Sequence, residues 1–101
     1  MARKYFRIRE VVDVCCVTEE FIQSLERENL IHSVTRNRER RYSRDQVDRI
    51  RVAQNLVREL GVNLEGVEVA LHMRDQIIQM RRQFDELLRR AEAFQENSRH
   101  R

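Results

Sequence analysis

From Ala70 to Phe94, apolar residues recur at alternating steps of three and four. Ala70, Met73, Ile77, Met80, Phe84, Leu87, Ala91 and Phe94 occupy every such position, and all are apolar. These are the a and d positions of a heptad sustained over about four repeats, which commits the segment to one long helix with an apolar seam. In water the seam would expose a continuous apolar stripe, which monomers avoid. The stripe therefore predicts a partner helix, and a second copy of the chain is the simplest candidate. Residues 1–62 offer too little surface to cover it. Arg74, Arg81, Arg82, Asp85, Glu86, Arg89 and Arg90 lie on the flanks, while Val67 and Leu71 lie off the seam and are expected to pack onto the preceding residues.

Those preceding residues read as short elements around a small core. Tyr5-Phe6-Arg7-Ile8 alternates polar and apolar, as a strand with Phe6 and Ile8 inward would. Glu10 to Cys16, with Val11, Val12, Val14 and Cys15, suits a short helix. Thr18 is placed to cap a second helix in which Glu19 and Glu20 favour the positive helix start and Phe21, Ile22 and Leu25 form the buried stripe. Two short helices so close together outline a helix-turn-helix. Asn29 closes the second helix. His32-Ser33-Val34-Thr35 and Arg40-Arg41-Tyr42-Ser43 around Arg36-Asn37-Arg38-Glu39 read as a hairpin with a basic tip, a wing. Ser43 caps a third helix carrying Val47, Ile50, Ala53, Leu56, Val57 and Leu60, Gly61 ends it, and Asn63 caps the long one. The expected organisation is a headpiece over 1–62, a dimerisation helix over 63–95 and a flexible tail over 96–101.

The formal charge is +3, but basic residues are concentrated at Arg3, Lys4, Arg7 and Arg9 and again at Arg36, Arg38, Arg40 and Arg41. Such clusters suit an anionic partner such as nucleic acid. No catalytic constellation is expected. His32, His72 and His100 lie on different elements with no metal-ligand spacing around them, and no glycine-rich loop cradles phosphate. Neither a metal nor a cofactor is expected, and the chain does not read as an enzyme. The two cysteines, Cys15 and Cys16, are adjacent, which suits a reducing cytoplasm and not a disulfide framework. The first residues carry no apolar run, and no window approaches the roughly 18 apolar residues of a membrane span.

The order strand, helix-turn-helix, basic wing, helix pair and dimerising helix resembles the MerR superfamily. Arg41-Tyr42-Ser43 with Val47 looks like that family's passage from wing to helix. Ile8-Arg9-Glu10-Val11 looks like its entry into the first helix, and Glu26-Arg27-Glu28-Asn29-Leu30-Ile31 like its exit from the second. The stretch from Glu59 to Glu68 is similar to the short HspR-type heat-shock repressors and to the CbpM-type chaperone modulators. The resemblance covers about the first 80 residues and implies a mainly α fold: a MerR-like winged helix-turn-helix headpiece with a small β-hairpin wing and a long C-terminal dimerisation helix. One departure stands out. DNA-binding members carry threonine-leucine-arginine-tyrosine in the second helix, where this chain has Phe21-Ile22-Gln23-Ser24 behind Glu19 and Glu20. The metal- and drug-sensing members place effector cysteines or a ligand domain after the dimer helix, and sensing by that route is not expected here.

The resemblance implies a cytoplasmic regulator that binds double-stranded DNA as a homodimer. Arg36, Asn37, Arg38, Arg40, Arg41 and Tyr42 would hold phosphate, and Gln23, Ser24 and Arg27 would face the groove, with Arg3 and Lys4 as further contacts. The alternative it implies is a CbpM-like modulator whose partner is a J-domain co-chaperone, met through the acidic second helix or the long helix.

Overall fold

The computed structural model describes residues 4–99, and seven elements form among them. They are β1 (Tyr5–Arg7), α1 (Ile8–Cys15), α2 (Glu19–Arg27), β2 (Val34–Arg36), β3 (Glu39–Ser43), α3 (Arg44–Leu60) and α4 (Leu64–Arg99). The fold is mainly helical with one small antiparallel sheet, in line with the sequence expectation.

Local chemistry explains most boundaries. Helix α1 starts at Ile8, earlier than the alternation suggested, because the Glu10 carboxylate accepts from the Arg7 amide at 3.1 Å and satisfies a donor at the helix start. It ends at Cys16, whose left-handed backbone (φ 54°) returns its amide to the Val12 carbonyl. Thr18 then accepts from the Phe21 amide at 3.0 Å and opens α2. Asn29 turns the chain after α2 with φ 58°. The Ser43 hydroxyl accepts from the Gln46 amide at 3.4 Å at the start of α3, and Gly61 closes that helix in the left-handed region, φ 64°. The Asn63 side chain accepts from the Gly66 amide at 2.9 Å and opens α4.

The sheet has strand order β1-β3-β2. Arg36 stands opposite Glu39, so the β2–β3 hairpin turns through the two residues Asn37 and Arg38. Strand β1 adds to the other side of β3, with Phe6 opposite Tyr42 and Arg7 opposite Arg41. Side chains alternate across a strand. One face therefore carries Phe6 and Tyr42, which meet the core, and the other carries Tyr5, Arg7, Glu39 and Arg41.

The core joins Val11, Val17, Ile22, Leu25, Leu30, Ile31, Tyr42, Val47, Ile50, Ala53, Val67 and Leu71. Val67 and Leu71 are both fully buried, so the compact headpiece extends through Leu71 and does not stop at residue 62. Leu60, expected on the inner face of α3, is exposed instead, because the core ends before the last turn of that helix. Helix α4 runs on to Arg99, through positions 96–99 that the sequence had suggested as tail. No helix among the described residues is long and apolar enough to cross a membrane.

Candidate nucleic-acid interface

Helix α2 buries Ile22 and Leu25, which turns Glu19, Glu20, Gln23 and Arg27 outward. Ser24 is half-buried and its hydroxyl donates to the Phe21 carbonyl at 2.7 Å, so it closes on its own helix and does not project beside Gln23. The end of α2 is braced from α3. Arg49 Nε donates to the Leu30 carbonyl at 2.9 Å, and Gln46 Oε1 accepts from the His32 amide at 2.9 Å. The same brace aims β2, which follows.

The wing sorts its cations by strand face. Arg40 and Tyr42, two residues apart on β3, reach the same carboxylate on α2. The Tyr42 hydroxyl donates to Glu26 Oε1, and Arg40 Nη1 lies 3.2 Å from Glu26 Oε2. Tyr42 is completely buried, so its side chain is a core residue; the phosphate contact expected of it from sequence has no exposed atom to make it. Burial, and after it the negative Glu26, pushes its hydroxyl well above the usual tyrosine range.

Arg41 and Arg7 stand opposite each other on the outer face, where like charges repel. Glu39 relieves this by pairing with both, at 3.3 Å and 3.5 Å. Arg36 lies over the Tyr5 ring, 4.5 Å from its centroid. Asn37 and Arg38 form the exposed tip, and Arg38 has no carboxylate partner among the described residues. Between the end of β1, the start of α1 and the first residues of β3, a cleft of about 520 Å³ is lined by Arg7, Ile8, Arg9, Glu39 and Arg40. Lys4 is exposed beside β1, and Arg3 lies outside the described residues.

The structure thus brings most of the sequence-selected cations together on the wing, but it gives Arg40 and Arg41 carboxylate partners within the protein. Sequence reasoning had Arg7 only as part of a basic cluster and missed Glu26 and Glu39 as members of this surface. Strand alternation could have found Glu39 and Arg41 as same-face neighbours. Glu26 carried no local signal, because its partners lie on an element distant in sequence.

On α4, Ala70 is half-buried, whereas Met73, Ile77, Met80, Phe84, Leu87, Ala91 and Phe94 are exposed; Phe84 is 60% accessible and Phe94 73%. Among the described residues no group of three or more histidines, cysteines or acids is placed to hold a metal. The Cys15 thiol is half-buried and burial raises its pKa, while Cys16 is exposed.

A helix-turn-helix followed by a hairpin packed beside its second helix defines a winged helix-turn-helix protein. The chain belongs to the MerR HTH family of regulatory proteins, whose model matches residues 6–90. No curated protein and no solved structure gives a significant match.

Proposed function

We propose that the chain is a transcriptional regulator that binds duplex DNA as a homodimer, with the exposed face of α2 in the major groove and the β2–β3 wing on the adjacent backbone. The observation that carries this reading is the wing itself, a hairpin that presents Arg36 and Arg38 beside a helix whose exposed face holds Gln23 and Arg27. Arginines on an exposed hairpin supply phosphate contacts that fix register and salt dependence, while a glutamine can pair with an adenine edge.

The exposed stripe on α4 supports the dimer. Met73, Ile77, Met80, Phe84, Leu87 and Phe94 are each more than half accessible, an apolar surface that a second copy of the helix would bury. Two headpieces related by a two-fold axis then address a two-fold symmetric site.

The test is a titration of duplex from upstream of the protein's own gene, against a scrambled duplex, at two salt concentrations. The reading expects nanomolar, discriminating binding with a salt slope of roughly five released ions or more. Weak, equal binding to both duplexes that vanishes at physiological salt would refute it.

One observation favours a second reading, a CbpM-like modulator of a J-domain co-chaperone. Glu19 and Glu20 are exposed at the start of α2 and have no partner among the described residues, so they would aim negative charge at a DNA phosphate but would suit a basic helix. Retention of a J-domain protein by wild type, lost on Glu19→Lys with Glu20→Lys, would favour this reading over the first.

A further inference from the structure

Glu26 sits on α2, the helix assigned to the groove, yet its carboxylate is turned away from the exposed face and is only 17% accessible. Its two oxygens serve two residues of the wing strand: one accepts from the buried Tyr42 hydroxyl and the other pairs with Arg40. A buried hydroxyl needs an acceptor, but an amide carbonyl would serve as well as a carboxylate. The charge of Glu26 is therefore not required by Tyr42, and its visible consequence falls on Arg40. Arg40 is 61% accessible, lines the cleft it shares with Arg7 and Arg9 and is the right residue type for phosphate. Its cationic charge is nevertheless offset by a carboxylate within hydrogen-bond distance.

We propose that Glu26 is a positioning residue of the DNA interface, holding the wing strand against α2 and withholding Arg40 from phosphate, so that the wing grips the backbone through Arg36 and Arg38 alone. This rests on the DNA-binding reading. It extends that reading by dividing the four wing arginines into working contacts and internally paired ones. Arg41, paired with Glu39, belongs to the second group. The consequence is a wing with fewer phosphate contacts than its sequence advertises, and hence a shallower salt dependence.

The experiment compares wild type with Glu26→Gln, Arg40→Gln and the double variant, on a duplex at several salt concentrations and on heparin resin. Glutamine keeps an acceptor for Tyr42 and removes the charge that holds Arg40. Glu26→Gln is expected to tighten duplex binding about three- to ten-fold and to steepen the salt slope by about one ion, as one added phosphate contact would. It should also elute later from heparin. Arg40→Gln alone should change duplex affinity by less than about two-fold, and in the Glu26→Gln background it should abolish the gain.

A merely structural Glu26 would shift the melting temperature, and any gain from the lost negative charge alone would persist in the Arg40→Gln background. Unchanged slope and elution in Glu26→Gln would overturn the inference. So would a tenfold loss on Arg40→Gln alone, a result that needs no Glu26 variant to fold. If wild type ignores duplex while Glu26→Gln elutes later from heparin and Arg40→Gln cancels that shift, the DNA reading fails and only the withholding of Arg40 from anions stands.

Discussion

Arg38 occupies a position where the backbone would rather have glycine, and replacing it should raise stability while lowering DNA affinity. The hairpin turns through Asn37 at φ 50° and Arg38 at φ 65°. A two-residue hairpin with both central residues left-handed favours Asn-Gly, since asparagine tolerates the conformation and glycine adopts it without cost. A long side chain there costs about 1–2 kcal/mol. Arg38→Gly removes that strain but gives the unfolded chain more freedom, which offsets about 0.4–1 kcal/mol. The net gain is of order 0.5–1 kcal/mol, or about 2–6 °C in melting temperature for a domain of this size. The assay is thermal denaturation followed by circular dichroism at fixed protein concentration, beside a duplex titration at several salt concentrations. Affinity should fall about tenfold and the salt slope by about one ion, because one phosphate contact is lost. Arg38→Lys keeps both the strain and the charge and should retain most of the binding. A melting temperature that falls by several degrees in Arg38→Gly would refute the account of the turn. A rise with unchanged DNA binding would refute the role of the tip.

Phe84→Glu places a charge in the α4 stripe and should convert a dimer into a monomer by light scattering, since a buried unpaired charge costs several kcal/mol; a persisting dimer would refute the heptad seam. Tyr42→Phe leaves the Glu26 carboxylate without its hydroxyl donor and should destabilise the headpiece by about 1–2 kcal/mol in urea denaturation, with the salt slope of DNA binding unchanged. The folded-state pKa of Tyr42 is raised, so the unfolded chain ionises first; the stability is fully held below the ordinary tyrosine value of about 10 and is lost progressively as pH climbs from there toward the higher folded value. Tyr42→Phe should flatten that alkaline loss, measured as urea midpoints from pH 8 to 11. Glu19→Lys with Glu20→Lys removes two carboxylates from the start of α2 and should tighten duplex binding several-fold in anisotropy titrations; weakened binding would reverse the sign of the charge argument.

The elements that announced themselves in sequence are those set by local rules. Thr18, Ser43, Gly61 and Asn63 each do what their residue type allows at a helix end, and Val67 and Leu71 enter the core as their spacing off the seam implied. Elements set by pairing across the chain were less visible. Strand β1 is three residues long, too short for alternation to say that it would join β3 or that Phe6 would face Tyr42. The family resemblance of Arg41-Tyr42-Ser43 implied that Tyr42 faces the DNA backbone, whereas its place on the core-facing side of β3 makes it an interior residue. Charge clustering located the wing, yet it did not reveal that Glu26 and Glu39 engage Arg40 and Arg41, since ion pairs between elements have no period to read.

The central claim is that two copies bind one operator through α2 and the wing, and hydroxyl-radical footprinting of the bound duplex tests it most directly. Two equivalent protected patches, related by a two-fold axis and spaced by about 10 base pairs or a multiple of that, are predicted. A single patch, or no protection at concentrations that saturate the shift, would contradict it.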